Sequence, residues 1–110
     1  MDAPERPSSY QVVYSDAVKQ SLRELFEIAF ARGDGPAFSA ALKEFDHLLR
    51  LYPQFGDPQI DLAQGGGQMR VGVIRPLSMR FGVHEDRRIV FCTAPPVLLP
   101  MDRLGDVEAE

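Results

Sequence analysis

The run Phe38-Ser-Ala-Ala-Leu-Lys-Glu-Phe-Asp-His-Leu-Leu-Arg-Leu-Tyr-Pro53 decides how the rest of the chain is read. Phe38, Ala41, Leu42, Phe45, Leu48, Leu49 and Tyr52 recur at spacings of three and four, the stripe of an amphipathic helix. Pro36 suits its first turn. Pro53 ends it, because proline lacks the amide that another helical turn would use. Beyond Tyr52 the apolar period falls from 3.6 toward 2, so a helical half is followed by a sheet-forming half.

Working back from that helix, Arg32-Gly-Asp-Gly35 is a break in which Gly33 and Gly35 tolerate positive φ. Upstream of it, Val18, Leu22, Leu25 and Ala29 form a second helical stripe, widened by Phe26 and Phe30. This places a helix at 16–32, with Ser15 as its N-cap. Two helices joined by so short a break lie antiparallel as a hairpin. Tyr10-Gln-Val-Val-Tyr14, β-branched and aromatic, is an opening strand.

Working forward, Gln59 to Ala63 is a short edge strand and Gly65-Gly-Gly67 a turn. Met69 to Ile74 is a strand with Val71 and Val73 on one face and Arg70 and Gly72 on the other. Pro76 turns the chain. Leu77, Met79, Phe81 and Val83 then alternate with Ser78, Arg80, Gly82 and His84, the pattern of a half-buried antiparallel strand. His84-Glu-Asp-Arg87 makes a hairpin turn, and Arg88 to Ala94 returns as a central strand before Pro95, Pro96 and Pro100. The helices need an apolar partner, and Val71, Val73, Leu77, Met79, Phe81 and Val83 supply one. The expectation is an α+β domain over residues 10–100, an opening strand and helical hairpin packed on one face of a three- to four-stranded antiparallel sheet. Residues 1–9 and 101–110 read as flexible tails. The opposite sheet face is expected to carry Arg70, Arg80 and His84.

Composition narrows the class. A chain of 110 residues with 45% hydrophobic and 25% charged residues fits one soluble domain with a core of its own. The single cysteine, Cys92, excludes an internal disulfide, and no apolar run approaches the roughly 18 residues of a membrane span. The polar, proline-containing start lacks a signal pattern, so a cytoplasmic protein is expected. Residues 69–94 hold five arginines against Glu85 and Asp86, a local balance of +3, leaving −7 elsewhere in a chain of net charge −4. A basic strand region in an acidic chain points to an anionic partner.

Several stretches resemble the RelE/ParE superfamily of bacterial toxins. Tyr14-Ser-Asp-Ala-Val18 is similar to the family's strand-to-helix opening, and Leu51-Tyr-Pro-Gln-Phe-Gly-Asp-Pro58 to the link after its second helix. Met69-Arg-Val-Gly-Val73 and Phe81-Gly-Val-His-Glu-Asp-Arg-Arg-Ile-Val-Phe91 resemble its paired sheet strands. The resemblance spans residues 10–94. It implies a toxin of a type II toxin–antitoxin system, held by an antitoxin protein. The target is then either the ribosome, where messenger RNA is cut, or DNA gyrase. Ser78 stands where the family often has an arginine. Ala94-Pro-Pro-Val-Leu-Leu99 stands where His, Arg or Tyr groups are usual. These departures favour action by binding over cleavage. The alternatives are a ribosome-dependent messenger-RNA endonuclease and a non-toxic interaction module, the last assembling as a homodimer through an edge strand.

Metal-independent RNA cleavage needs a base, a cation for the phosphate and an acid for the leaving group. His84 is the candidate acid or base. Arg70 and Arg80 are candidate anion contacts, with Arg87 and Arg88 at the hairpin end as further anion or partner contacts or as charges that guard a sheet edge. His47 reads as a helix-surface residue and Cys92 as a buried structural thiol. Two histidines and one cysteine make no zinc set, and Gly65-Gly-Gly67 precedes no helix, so no metal or cofactor is expected.

Overall fold

A computed structural model describes residues 9–61 and 67–101. The elements run β1 (Gln11–Tyr14), α1 (Asp16–Ala31), α2 (Gly35–Leu51), a single 3-10 turn (Pro53–Phe55), β2 (Asp57–Asp61), β3 (Gly67–Ile74), β4 (Leu77–His84), β5 (Ile89–Cys92) and β6 (Val97–Leu98). The fold is α+β, two helices with an open mixed sheet. Residues 1–8 and 102–110 of the expected tails, and Gly65 and Gly66 of the expected glycine turn, lie outside the described residues. No described helix is long and apolar enough to cross a membrane.

The helices form where their signals stand. Ser15 is extended (φ −68°, ψ 160°), and its hydroxyl accepts from the Val18 amide at 3.1 Å, capping α1. Asp16 adds a negative charge to the first turn, where the helix dipole favours it. At the far end Gly33 takes φ +88°, a conformation that a side chain would strain, and α2 starts at once with Pro36 in its first turn. Val18, Leu22 and Ala29 of α1 are buried, as are Phe38, Ala41, Phe45 and Leu49 of α2. The stripe of α1 is narrower than its apolar residues suggest. Phe30 is 67% exposed, stacked against the half-exposed Phe26 at 6.1 Å between ring centres. The first residue of α2 comes close to it: a Cβ on Gly35 would lie 3.0 Å from Phe30 Cδ1.

The sheet is larger than expected and not wholly antiparallel. Its strands lie in the order β1-β5-β4-β3-β2, with β6 also paired to β4. β1 runs parallel to β5, Gln11 opposite Ile89 and Tyr14 opposite Cys92, while the other pairs are antiparallel. β5 ends at Cys92, two residues short of Ala94, and the two-residue β6 follows the prolines. A local pattern of alternation carries no record of which strand pairs with which, and this is why the mixed pairing was not legible. The chain is tied off beside the β3–β4 turn: the Leu99 amide donates to Pro76 O at 2.7 Å, and Arg32 Nη2 donates to Leu99 O at 2.6 Å.

The register of β3 reverses the expected faces. Ile74 pairs with Leu77 and Gly67 with His84 across a two-residue turn, so even positions of β3 lie opposite odd positions of β4. Directly paired residues share a face. Leu77, Met79, Phe81 and Val83 are buried under the helices as expected. Their partners on that face are Ile74, Gly72, Arg70 and Gln68, whereas Val73 is 53% exposed on the outer face with Val71 beside it. The cause is space. The rings of Phe45, Phe55 and Phe81 cluster between α2 and the sheet, with ring centres 5.5–6.5 Å apart. A Cβ on Gly72 would lie 2.8 Å from Phe55 Cζ and 3.0 Å from Phe45 Cζ, so only glycine fits there.

Gly72→Ala is therefore expected to cost about 1–3 kcal/mol through forced movement of two packed rings. Val73→Thr, on the open face, is expected to stay within about 0.5 kcal/mol of the parent. Urea denaturation of both variants checks the register; the reverse ranking would return Val73 to the core.

Candidate functional site

The five expected contact residues do not converge. Arg80 is exposed on the outer sheet face, over a shallow hollow of about 340 Å³ lined by Val71, Ser78, Ala94, Pro95 and Val97. His84 lies on the same face, four residues along β4, or roughly 13 Å at the strand rise. Its Nδ1 accepts a long bond of 3.4 Å from the Arg87 amide. Arg87 stands in the exposed turn. Arg70 lies on the other face, contrary to the expectation that it joins Arg80 and His84. Its Nη1 donates to Gln54 O at 3.0 Å and to Gly56 O, and its buried Nε has no partner among the described residues. This guanidinium anchors the link after α2 to the sheet instead of presenting a fork to solvent.

Beside Arg70 is a polar knot that the sequence reading missed. The Tyr10 hydroxyl donates to Glu85 Oε1 at 2.6 Å, and Gln54 Nε2 donates to Tyr10 Oη at 3.0 Å and to Glu85 Oε2 at 2.7 Å. Arg88 closes the knot with its guanidinium 4.9 Å from the centre of the Tyr10 ring. Its backbone takes φ 55°, and its carbonyl accepts from the Gln11 amide at 2.9 Å. The hydrogen bond from Tyr10 and then those from Gln54 hold the Glu85 carboxyl below its ordinary range, with Arg70 and Arg88 adding to the effect. Burial, then the bond to Glu85, raises the Tyr10 phenol. The knot joins the start of β1, the post-helical turn and the β4–β5 turn. The readable signal was the alternation of Tyr10 and Tyr14: buried tyrosine rings require partners for their hydroxyls.

Tyr14 forms the second tie. Its hydroxyl donates to Asp46 Oδ1 at 2.6 Å, and Arg50 donates through Nε to Asp46 Oδ2 at 2.9 Å, an i,i+4 pair on α2. The Arg50 bonds lower the Asp46 carboxyl despite its partial burial, and burial raises the Tyr14 phenol far above its usual value. His47, next to Asp46, is exposed on the helix surface. Cys92 is fully buried, and that burial pushes its thiol up to about 12, leaving it protonated at neutral pH. It has the character of a core side chain.

A larger concavity lies elsewhere, between α1 and α2. It encloses about 1120 Å³ over a floor of Leu22, Phe26, Phe38 and Leu42, with Tyr14 and Asp46 at one end. Phe26 and Phe38 meet edge to face at 6.0 Å near the hairpin apex. Lys19, Arg23 and Lys43 line the rim together with Glu27. Asp46 is already engaged by Arg50 and Tyr14, so the unneutralised charge of the rim is positive, in a chain whose net charge is −4.

A carboxyl lowered by folding stabilises the fold above its unfolded value near pH 4.3, and that contribution is lost as the pH falls through the lower folded value. The parent is therefore expected to exceed Glu85→Gln in stability at pH 6–7, with the gap closing below about pH 4. Denaturant titrations of the two proteins across this range measure it. A gap that stays constant with pH would mean that the Glu85 charge has no part in the knot.

A scan against protein-family models gives no match to this chain, and a search of curated proteins gives none either.

Proposed function

We propose that this chain is a toxin-like domain of the RelE/ParE kind that works by binding a protein partner, with the groove between α1 and α2 as the binding surface. The observation that carries the reading is the groove itself, an apolar floor of Leu22, Phe26, Phe38 and Leu42 under a rim holding Lys19, Arg23 and Lys43. Its complement is an amphipathic helix with an apolar stripe and acidic flanks. The target protein, in translation or replication, is expected to present a segment of that composition. The element order of strand, helical hairpin and sheet supports the RelE/ParE part of the reading.

The placement of the cations favours binding over cleavage. RNA cleavage without a metal needs its base, cation and acid around one phosphate. Arg70 is engaged under the helices, while Arg80 and His84 are spread along the outer face. The net charge of −4 also suits a protein surface better than the polyanion of a ribosome or DNA.

Induced expression in a bacterial host, with growth and global translation followed over time, tests the reading. Growth arrest is expected from the parent and from Arg80→Ala/His84→Ala. Loss of arrest at equal soluble yield is expected from Arg23→Glu/Lys43→Glu. Transcript cleavage abolished by Arg80→Ala/His84→Ala would instead establish the endonuclease. No arrest from soluble, folded parent would remove the toxin part of the proposal.

A further inference from the structure

The two edges of the sheet are built differently. β2, at one edge, carries Asp57 and Pro58 and breaks register between Pro58 and Ile60. Charge, proline and irregularity are the devices by which an edge strand avoids pairing with another chain. β1, at the other edge, has none of them. Gln11-Val-Val-Tyr14 holds no charge and no proline, and all four residues pair with β5 in unbroken register.

The side of β1 away from β5 also has a defined set of donors and acceptors. The Gln11 amide donates to Arg88 O at 2.9 Å and the Ser15 amide to Cys92 O at 3.0 Å, so the odd-numbered residues direct their main-chain groups at β5. The alternation of a strand then turns the N–H and C=O of Val12 and Tyr14 to the other side, where no strand pairs among the described residues and where the Tyr10 amide, just before β1, donates to Arg50 O at 2.8 Å. Two residues separated by one are what an antiparallel strand pair needs around a two-fold axis. Val12 of each copy meets Tyr14 of the other in a hydrogen-bonded pair. Val13 faces Val13 of the second copy in the closer, non-hydrogen-bonded pair on the axis.

The side chains fit the same symmetry. Val13 is 39% exposed on the outer face, opposite Phe91 at 41%; Phe91 lies opposite Gly82, and Gly82 opposite Met69. A row of apolar side chains therefore runs across the sheet to the β1 edge and stops at Val13. Pairing two copies carries the row through the axis and gives both valines an apolar neighbour, an arrangement that stabilises adjacent strands. No like charges meet within the two paired strands, although each copy has a net charge of −4.

We propose that a second copy of this chain docks on the β1 edge, forming a two-fold symmetric dimer with one sheet continuous through both protomers. This inference stands apart from the groove and from any toxin activity.

Sedimentation equilibrium of the full chain between about 1 and 100 µM tests it, read together with amide exchange. The expected result is a dimer with slow exchange at the Val12 and Tyr14 amides. Val13→Lys and Val13→Glu, both at an exposed position, are each expected to weaken dimerisation at least about tenfold with unchanged circular dichroism. Mixing them in equal amounts is expected to restore a mixed dimer, because Lys and Glu then face each other across the axis. Val73→Lys, on the same outer face but away from the edge, is expected to leave the dimer intact. A monomeric parent at about 100 µM, a dimer indifferent to Val13→Lys, or a dimer broken by Val73→Lys would each overturn the proposal. Slow exchange at Val12 and Tyr14 in a monomer would do so too.

Discussion

The rings of Phe45, Phe55 and Phe81 meet between α2 and the sheet, and their bulk is the constraint around which the other parts arrange themselves. Phe45 comes from the helix, Phe55 from the turn that follows it and Phe81 from the middle of β4, so one contact joins three parts of the chain. Interiors are packed too closely for three such rings to share space with a fourth large side chain. Gly72 answers that demand from below. Gly56 answers it from the side: a Cβ there would lie 2.8 Å from Phe81 Cζ and 3.0 Å from Val71 O. With Gly72 under the rings, strand alternation leaves no freedom in β3. Arg70 must be inside, and Val71 and Val73 must be outside.

That register reaches the chemistry of the surface. An arginine brought to the covered face has to find acceptors, since a buried guanidinium without partners costs several kcal/mol. Arg70 finds them in the Gln54 and Gly56 carbonyls, and it lies near Glu85, which Tyr10 and Gln54 hold. A cation expected to serve an anionic ligand is instead a clamp on the link between α2 and β2. The outer face meanwhile receives Val71 and Val73, and it presents an apolar sheet with Arg80 and His84 set some way apart.

Among the described residues, the interhelical groove and the outer sheet row ending at Val13 both leave apolar side chains open to solvent. Exposed apolar patches of this kind, rimmed by polar groups, are characteristic of interaction surfaces. They differ in kind. The groove has depth and a cationic rim, which suits an amphipathic segment of another protein. The β1 edge offers main-chain donors and acceptors on a strand that carries no charge of its own, which suits a strand.

The amino-acid order alone was enough for both helices, the Ser15 cap, the Gly33 break, the stop at Pro53 and the inward face of β4. Each of these depends on neighbours within four or so residues, where propensity, capping and periodicity act. It also marked Cys92 as a core thiol and His47 as a surface residue. Tertiary structure decided the parallel pairing of β1 with β5, the addition of β6 and the face on which each residue of β3 stands. The valines at 71 and 73 have the stronger intrinsic claim to a core, yet the two-residue turn at 75–76 pairs even positions with odd ones, and the rings above Gly72 settle which set goes in. A one-residue difference in register moves every side chain to the opposite face, and no local pattern encodes it. For the same reason the separation of Arg70 from Arg80 and His84 was invisible in the sequence: it is a property of what lies across the sheet and above it.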